Sequence, residues 1–200
     1  MDETNEISMQ ERLHLIESMI HEGRKSTDYW GWMFLLWGVG YYIAIAGSYL
    51  LPHPQYSWPV VMVLTLLVGL AISARKRKHY PKPETTQSRA LGGIWYAVSA
   101  AIFLFAFAAI PSGHFELHMF LAGVEILIGV AHAASAFTLR WRPQFYIALV
   151  WWICGVASYY VALDHLIAVL IVGNLIGNIG FGLYLMHREA TIGRQQVSNA

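Results

Sequence analysis

The chain alternates between long apolar runs and short polar breaks. The runs cover roughly residues 30–51, 58–75, 90–110, 116–138, 144–162 and 165–187. Each approaches the about 20 residues that an α-helix needs to cross the hydrocarbon core of a bilayer. Breakers separate them: Pro52, Pro54 and Pro59, then Pro81 and Pro83, then Pro111 and Gly113, then Pro143. The last break rests on Asp164-His165 alone. Residues 144–187 are too long for one span, so a tight helical hairpin is expected there. The predicted fold is all-α: a polytopic membrane protein of six transmembrane helices in three hairpins, plus a cytoplasmic amphipathic N-terminal helix. The expected divisions are 1–29, 30–187 for the six-span bundle, and 188–200 for a cytoplasmic tail.

Composition agrees with this reading. Hydrophobic residues make up 56% of the chain and charged residues 12%, against about 25% charged in a soluble domain. The net charge of +1 conceals an acidic N-terminus. Residues 1–29 carry Asp2, Glu3, Glu6, Glu11, Glu17, Glu22 and Asp28 against Arg12, Arg24 and Lys25. The bases elsewhere lie beside apolar runs, so no nucleic-acid footprint is present and no nucleic-acid partner is expected. Because the N-terminus is long and acidic before the first run, that run is expected to be an uncleaved anchor.

The placement of Lys and Arg orients the bundle. All 13 fall in the N-terminal segment, near 75–89, at 140 and 142, or in the tail, and the three alternate loops have none. By the positive-inside bias, both termini are cytoplasmic. Trp30, Trp32, Trp58 and Trp141 fall at span ends, where amphipathic rings favour the headgroup region.

A short pattern recurs. The even spans hold Thr65 to Gly69, Glu125 to Gly129 and Gly173 to Gly177; the odd spans hold Gly38 to Tyr42, Gly92 to Tyr96 and Gly155 to Tyr159. A shared glycine packing motif would explain the likeness; chance in a Leu-, Ile-, Val-, Ala- and Gly-rich chain is the other reading.

Residues 8–25 read as a helix. Ser8 and Glu11 fit a capping box, and Met9, Leu13, Ile16 and Ile20 form a narrow apolar seam that Leu15 and Met19 widen. Its polar face is rich in Glu, which suits a protein partner or self-association better than an anionic lipid surface. Folding back on its own bundle is the structural alternative. Ile16-Glu17-Ser18-Met19-Ile20, followed by Leu35-Leu36-Trp37-Gly38 at the head of the first span, resembles a group of uncharacterised small bacterial inner-membrane proteins. These have a short helical N-terminus followed by a Leu-Leu-Trp-Gly first span. The resemblance covers about the first 40 residues and implies a bacterial inner membrane without implying a mechanism.

Polar residues inside spans are the candidate chemistry, because ionisable groups there are costly. His118, Glu125 and His132 stand seven apart on the fourth span and share a narrow arc of the helix. A separation of roughly 10 Å between neighbours excludes one shared metal ion and suits a proton or polar substrate path. Asn174 and Asn178 of the sixth span could bond Glu125 or simply join helices. Thr65 and Ser73 share a face of the second span and are expected to satisfy their own backbone. With no Lys or Arg in any span to pair with it, Glu125 is expected to face the interior and be neutralised by a proton or a cation.

At the other membrane face, His53, His114, His118, Asp164 and His165, with Glu116, could bind Zn or Cu if they converge; otherwise they are solvated loop residues. His118 with His165 is the only pair suited to haem. No cofactor is predicted outright. No Gly-x-Ser-x-Gly, His-Glu-x-x-His or phosphate loop occurs, and no span contains a lysine for a retinal Schiff base, so the reading leans away from an enzyme. The lone Cys154 reads as a small packing residue.

These features favour a transport or small-molecule-sensing subunit with a polar mid-membrane site. Two alternatives remain: a metal-binding or redox enzyme using the outer histidines, and a ligand-free scaffold acting through residues 8–25. A cavity beside Glu125 would favour the first, a solid core with converging outer histidines the second, and the absence of both would leave the third.

Overall fold

The computed structural model describes Met9, Glu11, His14 and residues 30–52, 56–79, 86–110, 112 and 116–198. Met9, Glu11 and His14 are helical and exposed; the rest of the predicted 8–25 helix, with His53 and His114, lies outside the described residues. Among the described residues there is no strand. The helices are α1 (Gly31–Leu50), α2 (Ser57–His79), α3 (Thr86–Ala109), α4 (Leu117–Leu139), α5 (Arg142–Tyr160), α6 (Leu163–Asn174) and α7 (Phe181–Ser198). A π-helical segment, Leu175–Gly180, joins α6 to α7 without a break.

Five stretches are long and apolar enough to cross a bilayer: α1, α2, α3, α4 and the continuous rod from Leu163 to Thr191. The chain is a multi-pass membrane protein. Helix α5 falls outside that set because it opens with Arg-Pro-Gln and takes its apolar surface largely from Tyr and Trp. Its 19 residues still extend about 28 Å.

The molecule is polar inside and apolar outside. Thr65, Glu125, His132, Ser135, Gln144, Ser158, Asn174 and Asn178 are all buried, whereas Leu64, Leu67, Leu104, Phe107, Leu175 and Leu183 face outward. Lipid is the solvent that accepts such a surface.

Helix α4 is the most buried of the candidate spans. Its contact with α5 is the most extensive in the bundle, and both helices supply the glycines for it. A Cβ at Gly155 would stand 2.7 Å from Ile126 Cγ1, and Gly129 lies beneath Trp152. Helix α1 meets α7 backbone to backbone: a Cβ at Gly31 would stand 2.8 Å from the Gly182 carbonyl oxygen. Helix α2 leans on α1, where Ser57 Oγ donates to the Ala44 carbonyl at 2.8 Å. Helix α3 leans on α4 and buries only Leu91.

The three predicted hairpins are therefore not the packing units, since the tightest pair, α4 and α5, spans two of them. The repeated glycines are not equivalent either. Gly69 meets Met33 and Leu36, Gly129 and Gly177 meet tryptophans of α5, and Gly92 touches only its own Tyr96.

Every described Lys and Arg gathers at one end of the bundle, called here the basic end. At that end Phe34, Leu91, Leu139, Trp141, Phe181 and Leu185 form one core cluster. Trp141, expected at a span end, lies at the basic end and is packed into the protein there, 7% exposed. The turn between α4 and α5 explains this. Arg140 is left-handed, with φ 47°; its N–H bonds the Phe137 carbonyl and the Trp141 N–H bonds the Ala136 carbonyl. This Schellman geometry reverses the chain in two residues and folds Trp141 back onto Phe181 and Tyr184.

Candidate functional site

Glu125 lies three residues from the middle of α4, so within about 5 Å of the helix centre. It is completely buried. Ser158 Oγ, reaching across from α5, donates to Glu125 Oε2 at 2.6 Å. Glu125 Oε1 has no hydrogen-bond partner. Tyr41 of α1 and Cys154 of α5 lie within range of its charge.

Asn174 and Asn178 do not bond Glu125. Asn174 Nδ2 donates to the Gly38 carbonyl at 3.0 Å, and Asn178 Nδ2 donates to Asn174 Oδ1 at 2.8 Å. Gly38 draws the pair away: with no side chain, it lets Asn178 Cβ approach to 3.1 Å from where its own Cβ would be and leaves its carbonyl open to Asn174. The register that sets His132 against Phe181 nevertheless puts Asn174 at the depth of Glu125. The asparagines bridge α6 to α1 at that depth, and the Glu125–Ser158 pair bridges α4 to α5.

The three α4 residues keep their predicted line, yet their surroundings differ. His118 Nε2 is 3.2 Å from the Val161 carbonyl in the turn between α5 and α6. His132 is boxed by rings: Phe34 stacks at 5.4 Å between centroids, and Trp95 and Phe181 meet it edgewise at 5.0 and 5.6 Å. Both of its ring nitrogens lack partners. No hydrogen bond links the three residues to one another.

Several contributors are absent from the sequence reading. Ser158 is the largest, and only the α4–α5 register identifies it. Trp151 is fully buried and packs against Gly173 and Gly177, with its indole nitrogen unpartnered. The π-helical segment begins directly after Asn174 and contains Asn178. Such segments occur often at functional sites, and the glycines at 173, 177 and 180 were the available signal.

Thr65 is buried against Gly40, while Ser73 is only partly buried. Two clefts open on the described surface, of about 530 and 320 Å³, and neither reaches Glu125, His132 or Asn174. Among the described residues no group of three or more His, Cys, Asp or Glu could hold a metal ion. Asp164 and His165 are exposed on the first turn of α6, and neither His118 nor His165 lines either of these two clefts.

The chain matches no protein-family model, no curated protein and no solved structure.

Proposed function

We propose that this is a six-span protein of the bacterial inner membrane, with both termini cytoplasmic, that serves as a transport or small-molecule-sensing subunit. Its responsive group is Glu125. One observation carries the reading: a fully buried carboxyl whose one oxygen is held by Ser158 and whose other oxygen meets no donor. Among the described residues no Lys or Arg stands at that depth to balance a charge, since Arg75, Lys76, Arg89 and Arg188 all lie near the basic end of their spans. An ionised carboxylate without a partner at that depth is expensive, so a proton or a cation accompanies it while the bundle is closed.

Glu125 is wholly buried and neither of the two clefts reaches it, so we read the site as an occluded form. Loss or gain of the proton then requires α4 and α5 to part, or the π-helical segment of the sixth rod to shift. Titration and helix rearrangement become one event, as proton-linked transport and sensing both require. The Asn174–Asn178–Gly38 bridge supplies polar groups at the same depth for a substrate or a hydrated path.

Carbodiimide labelling of Glu125 in native membranes tests this, because the reagent attacks protonated carboxyls in apolar surroundings. Labelling that falls as pH rises and vanishes in Glu125→Gln supports the proposal. If Glu125 is unreactive at every pH, or equally reactive at all of them, it is a static structural group and the proposal fails.

The complete burial of Glu125 also suits a second reading, a scaffold whose partner docks on residues 8–25. Deleting residues 1–25 distinguishes the two: a scaffold loses its partner, whereas a transport or sensing subunit keeps the Glu125 titration.

A further inference from the structure

Glu125 is not the only buried polar group without a partner. Among the described residues, side-chain nitrogen or oxygen atoms of Gln87, His132, Ser135, Gln144 and Trp151 are also buried and unpaired. All five residues lie on the basic side of Glu125. Gln87 stands on the first turn of α3. His132 and Ser135 follow Glu125 along α4, and Gln144 and Trp151 precede Ser158 along α5. Toward the opposite end the described residues hold no such atom. Ile45, Leu121, Leu166 and Leu170 close there into an apolar cluster. Leu121 stands one turn from Glu125 on the same face of α4, and Leu170 one turn from Asn174 on α6. Hydrocarbon therefore caps the carboxyl on one side, and polar groups approach it on the other.

Ser135 and Gln144 are the nearest pair among these groups. The contact of the Phe137 and Phe145 rings, at 5.4 Å, sets the register of α4 against α5 there. It places Ser135 and Gln144 within one turn of each other in depth. Ser135 shares its face of α4 with His132, and Gln144 shares its face of α5 with Trp141. Both His132 and Trp141 meet the ring of Phe181, at 5.6 and 5.9 Å, so the two faces turn toward a common centre. Gln144 is 1% exposed and Ser135 0%. An amide buried with both ends unpaired costs more than an apolar side chain of its size. Together the amide and the hydroxyl offer the donors and acceptors that a buried water takes up, at about three hydrogen bonds each. Neither carries a charge to hold an ion.

We propose that Glu125 exchanges its proton with the basic side alone, through water that enters the α4–α5 interface at Ser135 and Gln144, while the cluster of Ile45, Leu121, Leu166 and Leu170 keeps the opposite side closed. The inference rests on the reading of Glu125 as a titrating group and assigns its access route. When α4 and α5 part, water advances past His132 and Trp151 over the roughly 15 Å of helix from Ser135 to Glu125. Hydronium there gives its proton to the carboxylate, leaving water and neutral Glu125; the reverse step regenerates hydronium. Among the described residues, the titratable groups near the carboxyl on packed helices are Tyr41 of α1 and Cys154 of α5. On α4 itself, His132 stands on the route and His118 on the closed side, next to the Val161 carbonyl.

The full chain in liposomes tests the inference, with potassium and valinomycin holding the membrane potential at zero. Dicyclohexylcarbodiimide labels Glu125 while internal and external pH differ. Protease added afterwards cuts the 76–89 segment only in molecules whose basic end faces outward, and cut and uncut chains are read separately by mass spectrometry. Labelling of cut chains should follow the external pH, and labelling of uncut chains the internal pH. Ser135→Ala with Gln144→Leu should slow that response roughly tenfold, the rate change for about one lost hydrogen bond. A response to the opposite side, or to both sides, overturns the inference and leaves Glu125 a titrating group. So does a double variant that melts no lower than the unaltered protein and responds as fast. Labelling that follows neither side removes the titration itself, and the proposed function falls with it.

Discussion

Ser158 holds one oxygen of Glu125 at 2.6 Å, while the other oxygen of the same carboxyl faces no donor. This asymmetry makes the two residues separable by mutation. Glu125→Gln offers Ser158 an oxygen of the same size and should keep the fold. Glu125→Ala opens a void in the most buried span and should cost about 2–4 kcal/mol. Ser158→Ala strips the carboxyl of its only donor and should cost about 1–3 kcal/mol. In the Glu125→Gln background that loss should shrink at a pH where the carboxyl is ionised, because an amide tolerates isolation better than a carboxylate. Thermal unfolding in detergent gives all four values. Equal losses from Ser158→Ala in both backgrounds would mean that the hydrogen bond contributes nothing specific to the carboxyl.

Gly38 and Gly93 form a second contrast. A Cβ at Gly38 would stand 2.6 Å from Ile179 Cδ1 and 3.1 Å from Asn178 Cβ, whereas one at Gly93 would meet nothing within 4 Å. Gly38→Ala should therefore push α1 from the π-helical segment, break the Asn174 bond to the Gly38 carbonyl, and destabilise by about 1–3 kcal/mol. Gly93→Ala should be neutral or stabilise by up to about 1 kcal/mol, from helix propensity alone. The order of the two melting temperatures is the readout, and a reversed order would contradict the close approach of α1 to the π-helical segment.

What the sequence discloses follows from what a bilayer demands. Span length and apolarity are local properties, so the observed helices begin and end within a few residues of the expected limits except at the basic ends of α2, α3 and α7. Burial of Glu125 was also legible, since a charge at that depth must face inward. Its partner was not. Ser158 reaches it only because Gly129 fits beneath Trp152 and Gly155 against Ile126, a register set by tertiary contact. The asparagines were expected at Glu125, yet the bare backbone at Gly38 takes Asn174 first. Trp141 was expected at a span end, but its packing against Phe181 and Tyr184 was not legible, because the left-handed Arg140 sets it. In each case the deciding contact lies between residues distant in the chain, which periodicity does not record.

The orientation proposed from charge can be checked directly. Cys154, the one native cysteine, is buried, so engineered thiols can be read against a low background. A cysteine near Thr85 should resist impermeant maleimide added to intact cells, and one near Ser112 should react. The opposite pattern would invert the topology and place the acidic N-terminal segment outside.

His132 separates a path residue from a packing residue. It stands on the same α4 line as Glu125, yet Phe34, Trp95 and Phe181 enclose it and both ring nitrogens lack partners. In either tautomer the ring buries an N–H with no acceptor, at a cost of about 1–3 kcal/mol. Phenylalanine is close in size, carries no such group and can make the same ring contacts. His132→Phe should therefore raise the unfolding temperature or leave it unchanged, while His132→Ala, which empties the box, should cost about 3 kcal/mol or more. Stability alone leaves the role of the imidazole open, so the same variants belong in the carbodiimide assay. If His132 only packs, His132→Phe keeps the pH dependence of Glu125 labelling. If protons reach Glu125 from the basic end through the imidazole, His132→Phe should slow that labelling without altering the fold. A variant both more stable and slower would identify His132 as a residue kept for proton transfer at the expense of packing, since nothing else about the box requires a nitrogen there.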